Sequence, residues 1–66
     1  MEAYEVRYGT KVIIVDEKIR QPPGSIQLKK GDEITIFRPD GMYCNGIDKD
    51  ENLIYIHVLT EVDIKS

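Results

Sequence analysis

The chain has 66 residues, 41% of them hydrophobic and 32% charged, with twelve acidic side chains against nine basic ones and a net charge of −3. That length holds one domain, residues 1–66, whose folding hides only roughly 60% of the surface of the unfolded chain. The acidic balance argues against a phosphate backbone as partner, and the single Cys44 rules out an internal disulfide, which makes a cytoplasmic setting the expectation.

The N-terminal stretch "MEAYEVRYG" lacks the basic start and apolar run of a secretory signal. The longest apolar runs, Val12 to Val15 and Leu53 to Ile56, fall far short of the ~20 residues of a membrane helix, so no membrane span is expected. Ile, Val, Thr and Tyr are plentiful, Ala is nearly absent, and no window shows helical apolar spacing. The pattern predicts an all-β fold. "YEVRYGTKVIIVD" supplies a first strand, with Gly9 at a bend and the apolar run after Lys11 expected to be buried on both faces.

"EKIRQPPGS" reads as an irregular loop, because two prolines remove backbone donors and Gly24 permits a positive φ. "IQL" and "EITIF" alternate with period two, which directs Ile26, Leu28, Ile34 and Ile36 to the core and Gln27, Glu33, Thr35 and Phe37 outward. "RPDG" is a turn signal, with Pro39 expected at a turn position, and "MYCNGI" resumes extended structure. "DKDEN" forms a hairpin tip. "LIYIHV" returns with Ile54, Ile56 and Val58 on one side and Leu53, Tyr55 and His57 on the other. The tail "LTEVDI" accommodates one 3₁₀ turn and a closing strand. Five or six short strands separated by frequent turns describe a small barrel or sandwich.

In sequence and spacing these segments resemble a Src-homology-3 (SH3) domain. "SIQLKKGD" falls on the family's E-L-S-F-K-K-G-D, "IVDEK" (Ile14 to Lys18) on A-L-Y-D-Y without a gap, "YCNG" (Tyr43 to Gly46) on W-W-x-G, and "IHVLTEV" on the final strand and its 3₁₀ turn. The resemblance covers residues 11–64. It implies a five- to six-stranded SH3-like barrel with one 3₁₀ turn near the C-terminus. In that family an aromatic groove holds a polyproline helix. The corresponding positions here are Asp16, Lys18, Tyr43 and His57, with Thr60 or Glu61 where the last tyrosine would lie. With only one ring left among them, a proline-rich ligand is disfavoured.

Lys29-Lys30-Gly31-Asp32 lacks the G-x-x-x-x-G-K-[ST] frame and following helix of a phosphate site, so it is read as a type II turn with Gly31 at the positive-φ position. "DKDENL" starts like a calcium loop but has Leu53 and Leu59 where that loop needs glycine and glutamate. One Cys and one His do not make a zinc site, and Cys44 has no base or orienting partner in a nucleophile pattern. No metal, cofactor or catalytic residue is assigned. Phe37, Tyr43, Tyr55, Tyr4 and Tyr8 suggest an outward aromatic surface.

The expected function is therefore a non-catalytic protein–protein interaction module, an adaptor or a small inhibitor. It is expected to contact its partner through the loop Glu17 to Ser25 and through the candidate residues Asp16, Lys18, Tyr43, Tyr55 and His57. Small size and acidity also suit a viral or mobile-element protein that blocks a basic host surface. The alternative is a swapped-hairpin transcription regulator of the AbrB type, whose V-x-I-P-k-e-I-R and L-G-I-k-x-G-D-x-v-x-I segments are similar to "KVIIVDEKIRQ" and "IQLKKGDEITIF". Pro22 and Pro23 break the helix that this type places between them.

Overall fold

Val and Ile take most of the inward positions of the strands, and the period-two pattern places them there. The computed structural model describes residues 1–65. Its strands are β1 (Thr10–Ile14), β2 (Glu33–Asp40), β3 (Tyr43–Asp48), β4 (Leu53–His57) and β5 (Val62–Ile64), preceded by a 3₁₀ helix at Ala3–Glu5. All pairings are antiparallel, in the order β4-β3-β2-β1-β5. The fold is all-β, and among the described residues no helix is long and apolar enough to cross a membrane.

Val12, Ile14, Ile34, Ile36, Ile54, Ile56 and Val62 form the core with Cys44, and Ala3, Val6 and Leu28 close it from outside the strands. Burying each of these large aliphatic chains contributes roughly 1.5–3 kcal/mol. Between Lys29 and Asp32 the predicted type II turn is present: Asp32 N–H donates to Lys29 C=O at 3.1 Å and Gly31 holds φ +95°. Gly31 N–H also donates to Ile14 C=O at 2.7 Å, which fastens the turn to the end of β1. At the tip of the β3–β4 hairpin, one Asp48 carboxylate oxygen accepts from Asp50 N–H and Asn52 N–H, each at 2.9 Å.

The sheet is not closed on itself, and both of its edges are covered. On the β4 edge His57 N–H donates to Arg20 C=O at 2.9 Å, and Gln21 Nε2 donates to Tyr55 C=O at 2.9 Å. On the β5 edge Val62 N–H donates to Met1 C=O at 2.8 Å, beside a bridge between Glu2 and Glu61. Such covering removes the templates on which open strands aggregate.

Several expectations are corrected. "IQL" is not a strand: residues 15–32 are irregular, and Ile26 is exposed while Leu28 alone of that pair is buried. The two prolines keep this segment out of the ladder, so alternation there has no pleat to enforce it. Residues 4–9 lie outside β1, and β1 is buried on one face only, with Lys11 exposed and Ile13 half-buried, because one layer of sheet covers one face. Pro39 sits within β2, opposite Cys44 at a register irregularity, and the turn falls at Gly41 and Met42 instead. A proline there loses no ladder hydrogen bond that the bulge would have kept. The 3₁₀ helix is N-terminal; in the expected C-terminal place a turn is closed by Thr60 N–H to His57 C=O at 3.0 Å. His57 alternates outward by sequence but is 8% exposed, because the chain between β4 and β5 folds back over it.

Candidate functional site

The loop that covers the β4 edge also makes the wall of a groove. Gln21 organises it: its Nε2 donates to Ile26 C=O at 2.7 Å as well as to Tyr55 C=O, and its Oε1 accepts from Leu28 N–H at 3.1 Å. One side chain thus closes the loop and ties it to β4. Between Pro22–Ile26 on one side and Tyr43, Leu53 and Tyr55 on the other lies an open groove of about 570 Å³, with Asp40 at its rim. Its walls are mainly apolar, and the volume falls in the range of sites that hold a small ligand or several side chains.

Tyr43 and Tyr55 come together here because β3 and β4 pair Tyr43 with His57 and Asn45 with Tyr55, which leaves the two tyrosines diagonal neighbours on the outer face. His57 supports this surface from the side, as the cross-strand partner of Tyr43. Its ring meets Tyr43 edge-on, 5.9 Å between centroids at 84°, and its Nδ1 accepts from Leu59 N–H at 3.1 Å. His57 is therefore a buried prop for Tyr43 and does not itself line the groove.

Asp16 and Lys18 stand apart from it. Asp16 Oδ1 accepts from Lys18 N–H at 3.0 Å, and Oδ2 accepts from Glu61 N–H at 3.1 Å. The Glu61 amide, then the Lys18 amide, hold this carboxyl below its ordinary pKa of 3.8. Its geometry is that of a brace between the loop and the lead into β5. Lys18 is exposed, with its backbone amide spent on that brace. Cys44 is fully buried, and burial raises its thiol pKa, which keeps the unreactive protonated form. Among the described residues no three His, Cys, Asp or Glu side chains are grouped to hold a metal ion.

Pro22 and Pro23 belong to the loop Glu17 to Ser25 already expected to make contact, whereas Leu53 and Ile26 are lining residues outside the expected surface. An isolated apolar residue in an irregular loop, such as Ile26, was the signal available for them. The expected aromatic surface is not continuous: Tyr43 and Tyr55 stand at the groove, Tyr8 is stacked on Phe37 at 5.0 Å with the Arg38 guanidinium 5.3 Å from the Tyr8 centroid, and Tyr4 is exposed in the N-terminal 3₁₀ helix, in neither group. No protein-family model, curated protein or solved structure matches this chain.

Proposed function

We propose that the chain is a non-catalytic protein-interaction module on an SH3-like barrel, working as an adaptor or a small inhibitor in the cytosol. The groove between Pro22–Ile26 and the two tyrosines would take an extended apolar segment of another protein. The single observation behind this reading is that groove itself: an open, mainly apolar trough of about 570 Å³ walled by a tethered loop and two rings. Tyr43, which the resemblance sets on the family's first tryptophan, is one of its walls, and the turn at Gly31 lies in the segment that carries the resemblance. Asp16 and Lys18 stand where the family supplies two rings, so a polyproline ligand finds neither of them there.

No observation favours the swapped-hairpin alternative. Val12, Ile14, Ile34 and Ile36 are buried within a single chain, and the segment between β1 and β2 carries no helix. The viral or mobile-element origin rests on size and charge alone.

The test is affinity capture from the native cell extract, repeated with Tyr43→Ala and Tyr55→Ala, each variant first checked for an unchanged dispersed NMR spectrum. At least one captured protein should be lost with both variants. A captured set identical for all three proteins refutes the groove.

A further inference from the structure

Strand register extends the groove into a longer band. Tyr55 on β4 lies directly opposite Asn45 on β3. On the other side of β3, the pairs Ile36 with Gly46 and Pro39 with Cys44 leave two residues, Phe37 and Arg38, facing the single Asn45. This is a β-bulge. Asn45 Oδ1 accepts from Arg38 N–H at 3.3 Å and holds the bulge in place. Tyr55, Asn45 and Arg38 therefore stand in one row across three strands. The row runs from the apolar groove to a stack in which Tyr8 lies on Phe37 and the Arg38 guanidinium lies over Tyr8.

What sets Arg38 apart is its place over an aromatic ring: among the described residues it is the one basic side chain laid over a ring, and it belongs to neither side-chain ion pair, which use Lys30 and Lys65. A guanidinium laid over a ring keeps its N–H edge open, and that planar edge matches a carboxylate bidentately. Phe37 stacks on Tyr8 and so takes up one ring face that a nucleobase would need, and the net charge of −3 repels a polyanion. Asp40 also lines the groove, and its like charge would disfavour an acidic residue of a partner there, whereas Arg38 would favour one.

We propose that the partner is a protein segment with an apolar residue in the Tyr43–Tyr55 groove and a carboxylate on Arg38. This rests on the groove reading above and adds its charge specificity. Two strand spacings are roughly 10 Å, and an extended chain advances ~3.3 Å per residue, so the two partner residues are about three apart.

Short synthetic peptides with a fixed leucine and, about three residues away, Glu, Gln or Lys test this by NMR titration of the full chain. The Glu peptides should bind about two- to five-fold tighter than the Gln peptides, with the Lys peptides weakest, and should shift the amides of Tyr55, Asn45 and Arg38. Arg38→Ala, an exposed change, should erase the Glu preference and leave Gln-peptide binding unaltered. Equal binding of Glu and Gln peptides, or a preference that survives Arg38→Ala, overturns the proposal; if the Tyr43 and Tyr55 amides still shift, the groove reading stands without it. If no peptide moves those amides, the groove reading falls too. A thymidine oligonucleotide that shifts Tyr8 and Arg38 at physiological salt also overturns the proposal.

Discussion

At Gly31 an added Cβ would meet nothing within 4 Å, yet the backbone holds φ +95°. The cost of a side chain there is backbone strain alone, so Gly31→Val should lower stability by more than about 1 kcal/mol, roughly 4–8 °C in melting temperature, and keep the native NMR spectrum. Gly46 has the opposite problem. Its φ is ordinary, but a Cβ would stand 2.0 Å from the Thr35 carbonyl oxygen, so Gly46→Ala must push β2 away from β3 and should disturb the spectrum of both strands. An unchanged melting temperature for Gly31→Val would reject the strained turn. Asp16 offers a test by pH. Its folded pKa lies below the unfolded value because the Glu61 and Lys18 amides favour the charged form. The unfolded state therefore takes up the proton first as pH falls, so the stabilisation is complete above the ordinary value and disappears as pH drops through the folded one. The stability gap between the parent and Asp16→Asn in urea should be full at pH 6 and shrink progressively as pH falls below the ordinary carboxylate value. A gap that stays constant with pH would show that the charge of Asp16 is irrelevant.

Among the elements, the segment from Glu17 to Leu28 has the least regular backbone and the most influence on the groove. Without strand or helix to satisfy it, it depends on the three hydrogen bonds of the Gln21 amide, and each such bond contributes about 0.5–1.5 kcal/mol. Gln21→Ala should speed hydrogen exchange at Leu28 and at His57, whose amides are held by this loop, and weaken groove binding several-fold. Melting should fall only modestly, because the core is untouched. Exchange confined to its parent rate at both amides would contradict the tether. This element was partly legible in sequence. Pro22, Pro23 and Gly24 announce an irregular loop, and "KKGD" announces its closing turn. The destination of the loop was not legible, since Gln21 meets Tyr55 across 34 residues of sequence. Ile26 was assigned to the core for the same reason: period-two alternation predicts a face only where a ladder fixes the pleat.

For the whole molecule, a five-stranded sheet with two edges stays protected only because non-strand segments lie along them. The N-terminal stretch covers the β5 edge through Met1, donates from Ala3 and Tyr4 to Thr60 and Val58, and buries Ala3 and Val6 in the core. A variant lacking residues 1–5 should melt at least ~10 °C lower, and its light scattering should rise with concentration as the exposed strand finds copies of itself. Unchanged melting with monomeric scattering would show that this cover is dispensable.

Composition and period-two patterning by themselves determined an all-β chain with Ile34, Ile36, Ile54 and Ile56 inside, a glycine turn at Gly31 and a polar hairpin tip at Asp48, because these depend on neighbours in sequence. Tertiary structure decided the rest. It buried His57 against the edge of Tyr43, drew Asp16 to the Glu61 amide and away from the groove, and lined up Tyr55, Asn45 and Arg38 through a bulge. Each of those outcomes depends on register between strands or on where a long loop comes to rest, and one residue of slip would send the same side chains to the other face.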